Sequence, residues 1–144
     1  MKQTMKSENM RKKEVERKNI ATEYFRLVGQ GKFKEGLRFF APGCKTHNPF
    51  IAGNMDALTD AMNAANTEEA SKNPEAEFAV KNVLADGDLV AVHTQLLSSK
   101  SKPGEGGLRQ AHLFRFEDDK IVEYWDITQQ ILPNMPNSSG AFWA

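Results

Sequence analysis

The 144-residue sequence holds a single cysteine, Cys44, so it can form no internal disulfide. That scarcity agrees with a reducing, cytoplasmic setting. No apolar run approaches the roughly 18–20 residues that a membrane helix requires, so no membrane partner is expected. The N-terminal stretch "MKQTMKSENMRKKEVERKN" is basic but lacks the apolar segment of a secretory signal. Also missing are a phosphate-binding glycine loop, a dinucleotide fingerprint and a Ser-His-Asp motif. Net charge is absent too, with 19 Lys and Arg against 19 Asp and Glu. The distribution is uneven, because residues 1–36 hold ten of the basic and five of the acidic side chains. The acids are interleaved with the bases, which favours a solvated helix face over a nucleic-acid partner.

The length suits one domain with one core, spanning 1–144. Ile20, Tyr24, Leu27 and Val28, widened by Ala21 and Phe25, form an apolar stripe at helical spacing. This helix is expected to begin before residue 14 and end near "GQGK", with residues 1–13 frayed. A second short helix fits "KFKEGLRFF", where Phe33, Leu37 and Phe40 share a face until "APG" stops it. "CKTHNPFI" reads as a brief strand or extended turn. A third helix is expected from the N-cap Asn54, with Asp56 in its first turn, Leu58, Met62 and Ala65 buried, and Asn73-Pro74 ending it.

From Glu77 the period changes to two. "EFAVKNVLADGDLVAVHTQLLSS" reads as a hairpin turning at Asp86-Gly87, and "RQAHLFRFEDDKIVEYWDITQQI" as another turning at Glu117-Asp118-Asp119. "SKSKPGEGG" between them is a loop, and 133–144 is a tail ending in Phe142 and Trp143. Helices followed by a meandering sheet argue an α+β fold with about three N-terminal helices on one sheet face.

The segments "HNPF", "ADGDLVAVH", "FRFEDDKIVEYWDITQ" and "NSSGAF" resemble the SnoaL-like polyketide cyclases of the nuclear transport factor 2-like superfamily, from about residue 20 to the C-terminus. The resemblance implies a cone-shaped, strongly curved antiparallel sheet that encloses a pocket with the helices. It also implies a homodimer through the outer sheet face. Members include cyclases, isomerases, dehydratases and epoxide hydrolases, and also non-catalytic proteins, so the resemblance licenses a pocket more firmly than a reaction. Relatives usually carry Gly at the position of Asp119, which is therefore expected to take positive φ.

A three-residue loop would set Phe116 opposite Lys120 and Gln110 opposite Asp126. One face then carries Gln110, His112, Phe114, Phe116, Val122, Tyr124, Asp126 and Thr128. The other carries Arg109, Ala111, Leu113, Arg115, Ile121, Glu123, Trp125 and Ile127. Two-residue loop geometry would instead set Asp126 against Ala111. The first face is assigned to the interior, in agreement with the family's inward WD aspartate.

Asp126 is the leading candidate for a general base or acid, since burial brings a carboxyl toward neutral pH. The alternative is a carboxylate locked into a polar core network. His112 could hold or share the Asp126 proton, or simply be an imidazole satisfied by Tyr124. His47 and Asn48 are candidates for binding a substrate oxygen, alongside Tyr124, Gln110 and Phe114 as lining groups. His93 joins them if the first hairpin turns it inward. The His residues come from separate segments without metal-ligand spacing, so no metal and no cofactor are expected. The expectation is acid/base chemistry on a small apolar carbonyl compound, by aldol-type cyclisation, isomerisation or dehydration. A non-catalytic binding module is the alternative, and a protein-interaction scaffold would be favoured if aromatics filled the interior.

Overall fold

The computed structural model describes residues 6–72, 75–99 and 102–143. Helix α1 spans Glu8–Gly29, α2 Phe33–Gly36, and a single 3-10 turn, Leu37–Phe39, leads into strand β1, Phe40–Thr46. Helix α3 spans Met55–Lys72, followed by β2 (Glu77–Asp86), β3 (Leu89–Leu97), β4 (Gly107–Glu117) and β5 (Lys120–Ile131). The strands form one open sheet in the order β1-β5-β4-β3-β2. It is mixed, because β1 runs parallel to β5 while the other pairs are antiparallel. The helices lie on one face, as an α+β fold requires.

The apolar stripe of α1 is buried through Ala21, Tyr24, Phe25 and Leu27. The helix starts earlier than its apolar pattern suggests, because its polar first turns are anchored. Ser7 caps it, accepting from the Met10 amide at 3.1 Å. Arg17 donates to the Gly87 carbonyl at 2.8 Å and to the Asp118 carbonyl at 3.2 Å, so one buried guanidinium holds the turns of both hairpins. Glu14 accepts the Gly87 amide at 2.8 Å. Glu14 and Arg17 thus tie α1 to the turns, and residues 8–13, where fraying was expected, are helical.

The second helix is shorter than expected, and Ala41, Pro42 and Gly43 stand inside β1 rather than after a helix. The register of β1 against β5 slips between Phe40 and Lys45, which accommodates a proline that cannot donate to the ladder. Asn54 caps α3, accepting from the Asp56 and Ala57 amides at 3.1 and 3.3 Å. Met55, Leu58 and Thr59 form the buried face of α3, whereas Ala65 is exposed. The expected stop at Asn73-Pro74 lies outside the described residues.

Both hairpins turn through two residues. Asp86 pairs with Leu89 around Gly87-Asp88, and Gly87 supplies the positive φ of 62°. Glu117 pairs with Lys120 around Asp118-Asp119, and the residue with positive φ is Asp118 at 54°, not Asp119. A two-residue loop alone would send Asp126 to the wrong face. It does not, because the register slips between Arg115 and Phe116: Phe116 faces Ile121, Arg115 faces Glu123, and Val122 is the extra residue of a bulge. Ile121 is therefore a fully buried inner residue and Val122 is not. Beyond the bulge, Tyr124, Asp126 and Thr128 regain the inner face, and Asp126 stands opposite His112 rather than Gln110.

The core is aromatic. Tyr24, Phe25, Phe40, Phe114 and Tyr124 meet edge-on or stacked, with ring centres 4.9–6.3 Å apart, in geometries that aromatic quadrupoles favour. The interior expected to be a deep apolar cavity is thus filled with rings over its closed half.

Candidate functional site

Cross-strand pairing builds the polar end of the inner face. Rows run Val90–Phe114–Tyr124, then Val92–His112–Asp126, then Thr94–Gln110–Thr128. Exposure rises along this series: Phe114 and Tyr124 are buried, Asp126 and Gln110 are half-buried, and Thr128 is exposed. Along β5 the inner face therefore grades from an apolar core into a polar, exposed end, while Thr94 on β3 stays fully buried.

Asn48 donates its amide to Asp126 Oδ2 at 2.7 Å. Its own Oδ1 accepts the backbone amides of Phe50 at 2.8 Å and Ile51 at 3.1 Å. This Asx turn fixes the side-chain amide, so Asn48 aims its N–H at the carboxylate without further ordering. The other carboxylate oxygen, Asp126 Oδ1, is shielded from solvent and has no hydrogen-bond partner. A buried acceptor left unpaired costs about 1–3 kcal/mol, so such an atom calls for an explanation.

His112 belongs to a different network. Its Nδ1 lies 2.6 Å from the Tyr124 hydroxyl and its Nε2 2.9 Å from Thr94 Oγ1. Both ring nitrogens are used, so neither is left for the expected bond to Asp126. Burial, with a smaller contribution from His93, pushes the His112 pKa down to about 3, and the ring is neutral at ordinary pH. Burial likewise raises the Tyr124 hydroxyl, helped by Tyr24 and Asp126, so it keeps its proton. Thr94 also donates to Gln110 Oε1 at 3.2 Å, and Gln110 Nε2 donates to Thr128 Oγ1 at 3.3 Å.

The remaining candidates divide. Phe114 faces inward but is sealed among Tyr24, Phe25, Phe40 and Tyr124, so it is core and not lining. His47 lies on the outer face, stacked on Trp125 at 4.7 Å with its Nε2 2.7 Å from Glu123 Oε2. Glu123, pulled below the usual carboxylate range by His47 and then by Arg115, also accepts from Arg115 Nε at 3.0 Å. His93 likewise points outward, pairing across the sheet with Ala111 and meeting the Trp143 ring at 5.9 Å. The tail therefore rests on the outer face of its own sheet: the Trp143 amide donates to Gln95 Oε1 at 2.8 Å, and Gln95 Nε2 donates to the Trp143 carbonyl at 3.2 Å. Asp126, Asn48, Gln110, His112 and Tyr124 thus share the inner face or reach it, while His47 and His93 do not.

Thr94 is the residue that sequence reasoning overlooked. Its signal was a polar side chain in phase with Val90 and Val92, legible once the Gly87-Asp88 turn fixes the alternation of β3. Two clefts are found elsewhere. One, of about 140 Å³, lies between α1 and the β4–β5 turn, lined by Lys13, Glu16, Arg17, Ile20, Asp118 and Asp119. The other, of about 290 Å³, is lined by Glu75, Ser98, Ser99, Lys102 and Glu105. Neither is lined by Asp126. Among the described residues no three His, Cys, Asp or Glu side chains gather as a metal-ligand set, and no helix is long and apolar enough to cross a membrane.

The chain is similar in structure to AclR of Streptomyces galilaeus, whose assignment as a hydroxylase is provisional, with 17% identity and a TM-score of 0.63 over 81% of this chain and 90% of that one. A SnoaL-like protein of unknown function from Burkholderia thailandensis gives 16% identity and a TM-score of 0.63, over 80% and 95% of the two chains. An NTF2-like protein of unknown function from Cytophaga hutchinsonii gives 11% identity and a TM-score of 0.57, over 90% and 95%. At these identities the likeness establishes the fold alone. No curated protein sequence matches. The sequence profile described as the SnoaL-like domain matches residues 21–124, ending two residues before Asp126. That match covers well over half of the sequence, and the chain belongs to the SnoaL-like domain family.

Proposed function

We propose that the protein is an acid/base enzyme acting on a small carbonyl compound, with Asp126 moving the proton. The observation that carries this reading is the carboxylate itself: one oxygen held by a pre-oriented Asn48, the other shielded and unpaired. An unpaired Oδ1 has its acceptor capacity unused, and a substrate C–H or O–H proton meets it once the groups that cover it move aside. In the proposed step Oδ1 takes a proton from carbon beside the carbonyl, forming the acid O–H. The C–H electron pair moves toward the carbonyl oxygen to give an enolate. Returning the proton to another carbon completes isomerisation; attack of the enolate carbon on a second carbonyl gives an alkoxide that takes the proton in aldol-type cyclisation; and delivery of the proton to a departing β-hydroxyl releases water in dehydration. Asn48 holds Oδ2 and so orients the carboxylate for the transfer. Because rings fill the closed half of the interior, the substrate is small or enters only in part.

The test is incubation with polyketide-like and ketosteroid-like ketones, separating product formation from simple retention. Turnover that Asp126→Asn removes while folding and ligand binding persist supports the reading. Full turnover in that variant refutes it. The filled interior favours a second reading, a protein-interaction scaffold using the outer Trp125 face, which the absence of both product and retention would support, whereas retention without product would establish a non-catalytic binding module.

We also propose that the outer sheet face pairs with a second copy of the chain, as the family resemblance implies. Ile127 and Leu84 are 61% and 66% exposed there, beside Leu113 and Trp125. Sedimentation of the wild type as a dimer and of Ile127→Lys as a monomer supports this. A monomeric wild type overturns it.

A further inference from the structure

We propose that Thr94 is a positioning residue that relays the direction of a hydrogen-bond chain begun at Tyr124, so that the exposed end of the inner face beyond Asp126 offers donors and selects a substrate oxygen that only accepts. Gln110 Oε1 can only accept, so the single hydroxyl proton of Thr94 is spent on it. Thr94 Oγ1 must then accept from His112 Nε2, 2.9 Å away. A neutral imidazole has one N–H, so His112 Nδ1 is an acceptor and takes the Tyr124 hydroxyl proton across 2.6 Å. The chain runs one way, from Tyr124 through His112, Thr94 and Gln110 to Thr128. At its outer end, Gln110 uses one amide hydrogen on Thr128, leaving its second N–H, and Thr128 retains its own hydroxyl proton.

Two donors therefore lie on the inner face one cross-strand row beyond Asp126, whose Oδ1 is an acceptor without a partner. That polarity fits a ketone or ester whose carbonyl oxygen meets Gln110 and Thr128 while its acidic C–H meets the carboxylate. A reversed chain would turn Gln110 over and present its oxygen instead. Tyr124 decides between the two, because among the described contacts its buried hydroxyl has His112 as its acceptor, and Thr94, fully buried between His112 and Gln110, passes that choice outward.

This inference rests on the exposed end of the inner face beyond Asp126 being the substrate site, but its direct test needs no turnover. Long-range ¹H–¹⁵N spectra of the full chain report which ring nitrogen of His112 carries hydrogen. The expected result is the Nε2–H form in wild type and in Thr94→Ser. An Nδ1–H form in the wild type overturns the chain's direction. For the substrate class the probes are 1-indanone, an acceptor only, and indole, a donor only. Indanone should shift the Gln110 side-chain amide resonances and indole should not. Thr94→Val should lose the indanone shift and Thr94→Ser should restore it. An unchanged indanone shift in Thr94→Val overturns the positioning role, and no indanone shift in the wild type overturns the substrate class. If instead Asp126→Asn keeps full turnover while the His112 tautomer is as expected, the catalytic reading fails and the chain's direction stands.

Discussion

Acid should unfold this protein partly through one neutral histidine. His112 is 4% exposed, and both its nitrogens are engaged by Tyr124 and Thr94. Its pKa falls from an ordinary 6.5 to about 3 in the fold. Below pH 6.5 the unfolded chain therefore binds a proton that the folded chain refuses, so stability is lost as pH falls. Each pH unit in that window costs about 1.4 kcal/mol, so titration from pH 6.5 to 4 removes on the order of 3 kcal/mol. Carboxylates such as Glu14 and Glu123, which the fold holds below their usual range, act in the same direction at lower pH. The histidine is isolated by comparison with His112→Gln, which cannot titrate. Urea unfolding at steps from pH 7 to 4 should show the wild type losing about 3 kcal/mol more than the variant. Equal losses, or an NMR titration of His112 near 6.5, would refute the buried neutral ring.

Two further outcomes follow from packing. Arg17→Met should destabilise by about 2–4 kcal/mol in urea unfolding, because charge-assisted bonds to the Gly87 and Asp118 carbonyls vanish together. A change below about 0.5 kcal/mol would show that the hairpin turns hold without it. Burial raises the Cys44 thiol to about 11, with Glu123 adding to the shift, so it should resist iodoacetamide at pH 8 until the chain unfolds. Labelling as fast as a free thiol would contradict that burial.

Much of the fold was written in periodicity. The α1 stripe, the Asn54 cap and the two alternating hairpins rest on short-range rules, and they appear where those rules place them. The turn at Asp118-Asp119 shows where such rules stop. Loop length and bulge each shift register by one in the same direction, which restores the facing, so Asp126 reaches the inner face by a route the sequence does not reveal. Together the two shifts moved Asp126 from Gln110 to His112 as cross-strand partner. From the sequence, His47 is expected at the substrate and the facing of His93 stays open, for a related reason. The slip in β1 sets the facing of the residues after it, and the first turn had to be fixed before His93 could be assigned. The early start of α1 depended on Arg17 and Glu14 meeting turns some 70 and 100 residues away, a tertiary contact no local pattern encodes.

The most direct measurement is hydrogen–deuterium exchange at carbon beside a carbonyl. Cyclic ketones such as 1-indanone, held in D₂O with the protein, exchange their α-protons faster only if a positioned base removes them. Asp126 as that base predicts acceleration by the wild type, little by Asn48→Ala and none by a folded Asp126→Asn. Acceleration that survives in Asp126→Asn, or none in the wild type across a ketone panel, would contradict it.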